Sequence, residues 1–297
     1  MSAGGGLLTA PSNPAPADGA PRRARVLSLA RADARRYARH PLFLLPCAVL
    51  LISLVVQLVQ HSGGGTNPMV STMTTAFLLG VFGFVVAHRL TTSLLRSPEL
   101  AGTVPVSRQE RTLALCVACL VPFAVGILCA GLMIVTAMIW PPDGDPSSLP
   151  VVWFGDYPAV DVIAILLAMG PLATLGGPLL GVAVARWAPF RGSALLGVVA
   201  LVVVTAIPAS DSRGSGWRLA SPWPVLFDER IGDHGQVVST SIVTSIVPLW
   251  ALGWIACLCG LAVVAALLRD PEHRRPLLLT GGALAAAALG CFVLAVT

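Results

Sequence analysis

Seven long apolar blocks, at 41–60, 70–87, 112–140, 158–185, 192–210, 243–268 and 276–297, are separated by short polar or arginine-bearing segments. Each approaches or exceeds the roughly 20 residues with which a helix crosses about 30 Å of hydrocarbon. Six of the blocks contain no Asp, Glu or Arg, and the exception is Asp161, one turn inside the fourth. None alternates polar and apolar residues as a barrel strand does, so helices must satisfy the backbone in lipid. The pattern predicts an all-α fold, a polytopic transmembrane helical bundle. It has six or seven spans, since the fifth block is short and the seventh ends with the chain.

Composition agrees with that class. Charged residues make up 11% and hydrophobic residues 56%, with a mean hydropathy of +0.82; a soluble domain carries about a quarter charged residues. Residues 1–21 are rich in Gly, Ala, Pro and Ser and lack an apolar run, which reads as a disordered tail rather than a secretory signal. The transmembrane domain then occupies 41–297, after an amphipathic segment at 22–40. Its longest non-apolar stretch, 211–242, interleaves Trp217, Trp223 and Phe227 with prolines. Aromatic rings favour the headgroup layer, so short helices lying at the outer surface are expected there. All seven cysteines fall inside the expected spans, which indicates no disulfide framework.

All 19 basic residues are Arg. Without Lys the chain supplies neither a Walker-type phosphate loop nor a Schiff-base amine. If ATP powers the protein, another polypeptide hydrolyses it. Arginine placement also suggests an orientation. Seven precede the first span, and Arg89, Arg96, Arg108, Arg111, Arg186, Arg191, Arg269, Arg274 and Arg275 fall on the same side; only Arg213, Arg218 and Arg230 fall on the other. The positive-inside rule then places the N-terminus in the cytoplasm and, with seven spans, Thr297 outside.

Two cytoplasmic segments stand out as candidates for function. In 22–40, Val26, Leu27, Ala30, Ala34, Tyr37 and Ala38 form an apolar stripe, with Arg25, Arg31, Arg35 and Arg39 mostly on other faces. This is the pattern of a helix lying on an anionic inner leaflet and ending at Pro41; a simple topogenic Arg cluster is the alternative. In 96–111, Ser97 can N-cap a short helix with Pro98 at its first position and Glu99 at its positive end. Gly102 and Pro105 stop that helix, and Ser107 with Glu110 forms a capping box that starts the third span. A short transverse helix at the inner mouth would result, with an ordinary loop as the alternative.

The polar inventory disfavours other classes. Ion-coupled transporters keep acids, bases or His within the bilayer; here Asp161 sits at a helix start near the outer surface, and His61 and His88 sit at span ends. Cys116 and Cys119 share a helical face as soft-metal ligands would, but without nearby His, Asp or paired Met they read as packing. Cys257 and Cys259 point in different directions. Pro122 and Pro171 are expected to kink their helices, and Gly177 with Gly181 allows close helix contact. No glycine-flanked nucleophilic Ser, HExxH or paired carboxylates appear, so no catalytic residues, no metal and no enzyme activity are indicated.

Three passages together carry a family resemblance: the Arg-rich helix running into His40-Pro41, PELAGTVPVSRQERTLA at 98–114, and LLRDPEHRRPLLL at 267–279. With this layout the chain resembles the permease subunit of type-2 ATP-binding cassette exporters, especially the actinobacterial lineages. The family commonly has six spans. The resemblance implies a connecting helix at the first passage and a coupling helix at the second, where Glu99, Gly102, Thr103, Pro105, Val106 and Ser107 map onto the segment that docks on the ATPase. The coupling segment is then Arg96, Ser97, Pro98, Glu99, Leu100, Gly102, Thr103 and Pro105. The resemblance further implies a bacterial plasma-membrane location, a second permease copy or a homologous permease, and an ATPase subunit that consumes the ATP. It implies no cofactor in this chain and no nucleic-acid partner. The competing expectation is a non-transporting scaffold or regulator that recruits partners through its Arg-rich N-terminal helix. No substrate-binding residues stand out.

Overall fold

A computed structural model describes residues 22–59, 68–96, 107–139, 158–210, 218–219, 221, 224, 227–231, 237–242, 246–270 and 274–297. The 1–21 tail and the connection 97–106 lie outside the described residues. The bundle consists of α1 (Arg22–Ala38), α2 (Pro41–Val59), α3 (Pro68–Arg96), α4 (Arg108–Ala118), α5 (Leu120–Ile139), α6 (Ala159–Leu167), α7 (Ala173–Trp187), α8 (Ser193–Ser210), α9 (Pro248–Leu267) and α10 (Arg274–Val296). Among the described residues, five helices are long and apolar enough to cross a membrane: α3, α4 continued by α5, α6 continued by α7, α9 and α10. The bent pair α1 and α2 raises the number to six, and α8 is a shorter apolar helix. The chain therefore has the character of a multi-pass membrane protein. Large apolar side chains such as Leu51, Leu195 and Leu279 are 62%, 69% and 76% exposed, as a lipid-facing surface requires.

Local chemistry explains the breaks. Pro41 has no N–H to give to the Tyr37 carbonyl, which instead accepts from His40 N at 3.1 Å, and the chain bends by 60° between α1 and α2. Pro122, in the first turn of α5, likewise has no N–H for the Ala118 carbonyl, and the long third span breaks at Cys119. Pro171 sits inside a five-residue π-helical turn, Ala168–Leu172, between α6 and α7; a widened turn is one way a helix accommodates proline. There Thr174 Oγ1 donates to Gly170 O at 2.9 Å.

The centre of the bundle is the crossing of α3 and α7. A Cβ on Gly177 would lie 2.7 Å from the Gly80 carbonyl carbon and overlap its oxygen, and one on Gly181 would lie 3.0 Å from Phe84 Cα. Gly177 and Gly181 thus serve packing, by letting two backbones touch. The α6–α7 span is the most enclosed, with 72% of its apolar window buried, whereas α10 rests on α9 at the edge with 6% buried.

The structure corrects three expectations. Strand β1 (Phe227–Ile231) pairs antiparallel with β2 (Val237–Ile242), so this part of 211–242 is a hairpin, not short helices. Val237, Val238, Thr240 and Ile242 are β-branched, which favours the extended backbone. Second, α3 runs on to Arg96, well past the apolar block ending at 87. Thr91 and Thr92 donate to the carbonyls of Ala87 and His88, so their hydroxyls join the helix rather than ending it. Third, the helix start expected near 243 lies at Pro248, where proline suits the first position.

Candidate functional site

Arg96 closes α3. Ser97, Pro98, Glu99, Leu100, Gly102, Thr103 and Pro105 lie outside the described residues, as does the short transverse helix expected over them. The downstream anchor of that connection is described in detail. Ser107, with extended backbone (φ −66°, ψ 153°), accepts from Glu110 N at 3.1 Å, and Ser107 N donates to Glu110 Oε2 at 3.3 Å. This is the capping box read from the sequence, satisfying two donors that a helix start otherwise leaves open.

Glu110 also faces Arg25 Nη2 of α1 at 3.7 Å. Helix α1 lies against α4, with Val26 and Ala30 packed on Ala114. At its other end Tyr37, 1% exposed, donates its hydroxyl to Gly83 O of α3 at 3.0 Å and meets Phe43 edge-on at 5.2 Å. The apolar stripe of α1 is therefore covered largely by protein instead of resting on a lipid surface. The partners Ala114 and Gly83 are small enough to admit it. Leu27, 53% exposed, is the member of the stripe that faces away, alongside the exposed Arg23, Arg31, Arg35 and Arg39.

Asp33 and His40 are among the perturbed titratable groups on this segment. Burial pushes the Asp33 carboxyl up, and Arg36, 3.9 Å away, partly offsets it. His40, whose Nδ1 accepts from Leu42 N at 3.3 Å, is lowered by burial and then by the charge of Arg89. Each shift favours the neutral form.

The remaining helix ends on this side carry a second polar set. His88 of α3, 5% exposed, hydrogen-bonds Ser193 Oγ at the start of α8 at 2.8 Å and stacks on Phe84. Arg186 Nη2, at the end of α7, lies 2.5 Å from Asp270 Oδ1, beyond the end of α9. Trp187 Nε1 donates to Ala265 O at 2.8 Å, with the Arg269 guanidinium 5.5 Å from its ring centroid. Sequence reading treated His88 and Arg186 as groups at span ends; the structure buries both. For His88 the missed signal was the length of α3, which carries it well inside the helix; Arg186, at the end of α7, is buried by its pairing with the sequence-distant Asp270. Asp161 lies in the first turn of α6, as expected.

Cys116 and Cys119 are buried in the main core cluster, and Cys259 faces Leu172 O at 3.6 Å while Cys257 contacts Cys291 on α10. Among the described residues, no group of three or more His, Cys, Asp or Glu side chains is placed to hold a metal. What the arrangement does is mechanical: it ties α1, α3, α4, α7, α8 and α9 together at the arginine-rich end. No family model matches the chain, and no curated protein or solved structure matches it either.

Proposed function

We propose that the chain is the permease subunit of an ATP-binding cassette exporter in a bacterial plasma membrane. Its arginine-rich end faces the cytoplasm, two permease copies form the path, and a separate ATPase docks on 96–106 and supplies the energy. The observation that carries the reading is the double engagement of Glu110. One carboxylate holds the Ser107 cap that ends the connection and also faces Arg25 on α1. A load that reaches Ser107 is therefore passed to both the third span and the N-terminal helix. Alternating exposure would follow if ATPase dimerisation biases a two-state bundle.

The test uses the full chain purified in mild detergent together with a candidate ATP-binding cassette ATPase subunit. Glu99→Arg, or a flexible linker in place of 97–104, is expected to abolish coupling of ATP hydrolysis while leaving the permease folded. A chain that co-purifies with no ATP-hydrolysing partner, or that keeps full coupling with the linker, overturns the proposal.

The exposed arginines of α1 favour the scaffold reading as a second possibility. Removing 22–39 would not discriminate, since Val26, Ala30 and Tyr37 are buried in the bundle. Replacing Arg31, Arg35 and Arg39 by Gln leaves those contacts intact: the scaffold loses function, whereas the permease keeps its ATPase coupling.

A further inference from the structure

The C-terminal ends of α7 and α9 are fastened by two consecutive residues on each side. Arg186 pairs with Asp270 at 2.5 Å, the two side chains being 6% and 7% exposed. Immediately beside them Trp187 faces Arg269 and hydrogen-bonds Ala265 O. Among the described residues, Arg186 Nε and Asp270 Oδ2 are buried with no hydrogen-bond partner. Such a pair stabilises a fold only weakly relative to an apolar replacement, because desolvation offsets its attraction. Separating the charges while they stay dry is strongly unfavourable. The favourable arrangements are thus two: charges touching and dry, or both hydrated. Beyond Asp270, α10 rests on α9 at the edge of the bundle, with 6% of its apolar window buried.

We propose that Arg186 and Trp187 on α7, with Arg269 and Asp270 beyond α9, form a clasp that closes the arginine-rich end of the bundle and opens as a unit to admit water. The clasp goes beyond the permease reading and stands equally if no ATPase is involved. Cys116 of α4, 6% exposed and within electrostatic reach of Arg186, is a native reporter of its opening. Cys119, 1% exposed and close by on the same segment, reports loss of the fold.

The experiment measures N-ethylmaleimide labelling rates of the full-length protein in mild detergent, with either Cys116 or Cys119 as the sole cysteine. Asp270→Asn and Arg186→Gln are expected to speed labelling of Cys116 by about tenfold or more, since each leaves a buried charge that is satisfied only in the open state. Cys119 is expected to stay slow in both. The apolar pair Arg186→Met with Asp270→Leu is expected to label Cys116 no faster than the unsubstituted pair does. Equal acceleration at Cys116 and Cys119 would mean unfolding instead of opening and would overturn the clasp. Unchanged labelling in the single variants, or acceleration in the apolar pair, would overturn it as well.

Discussion

Gly177 shows how a single hydrogen atom sets the core of this bundle. Any Cβ there would overlap the Gly80 carbonyl oxygen, so α3 and α7 must separate to accept one. Gly177→Ala is expected to destabilise the protein by about 1–3 kcal/mol, the usual cost of overpacking, and thermal unfolding in detergent measures it. Gly282 on α10 is the control, because nothing lies within 4 Å of a Cβ built there. Gly282→Ala is expected to leave stability unchanged or to raise it by up to about 1 kcal/mol through helix propensity. Equal losses at both sites would mean that the backbones of α3 and α7 do not touch. The spacing of Gly177 and Gly181 was readable along the chain, but their partners Gly80 and Phe84 were not. A glycine announces close approach without naming what approaches, and His88 was missed for a related reason: burial is a property of the neighbours.

Helix α1 spans Arg22–Ala38 and carries the apolar stripe legible in the sequence, and the capping box at Ser107 was readable because its two partners are only three residues apart. What covers the stripe of α1 was not readable, since lipid and a small-residue groove demand the same apolar spacing. The hairpin β1–β2 was missed because aromatic and proline residues around it masked a short β-branched run. The junction of α1 and α2 carries a pH dependence. His40 has its folded-state pKa lowered from 6.5 by burial and by Arg89, so the unfolded chain takes up the proton first as pH falls. Its contribution to stability is complete above pH 6.5 and is lost as pH drops through the folded value; protonating Nδ1 also removes the acceptor for Leu42 N. Thermal stability is expected to fall from pH 7.5 towards about pH 5, and His40→Asn, which cannot titrate, is expected to flatten that part of the profile. A variant profile as steep as the parent's would place the dependence elsewhere.

The path of the chain through the bundle decides which side each surface element meets. Helix α8 begins at the arginine-rich end, where Ser193 bonds His88, and after the described chain resumes at Arg218 its next residue, Leu219, lies in the cluster at the opposite end with Val162, Ile246 and Ala295. There Trp254 Nε1 donates to Leu219 O at 2.8 Å, and Val247 N donates to Ala295 O at 3.0 Å. An 18-residue helix rises about 27 Å, so α8 covers nearly the hydrocarbon depth despite its modest length. Five passages then separate Ser28 on α1 from Ser239 on β2: α2, α3, α4 with α5, α6 with α7, and α8. An odd number puts those residues on opposite faces, and the sixteen arginines at the α1 end put α1 in the cytoplasm if the positive-inside rule governs insertion. Cysteines introduced by Ser28→Cys and Ser239→Cys, in a chain otherwise free of cysteine, test both steps with a membrane-impermeant maleimide on intact cells. Ser239→Cys is expected to label on intact cells and Ser28→Cys only after permeabilisation. Labelling of both, or of neither, would mean that α8 turns back without crossing; the reverse pattern would mean that the arginine-rich end, with the 96–106 connection, faces outward, where no cytoplasmic ATPase can reach it.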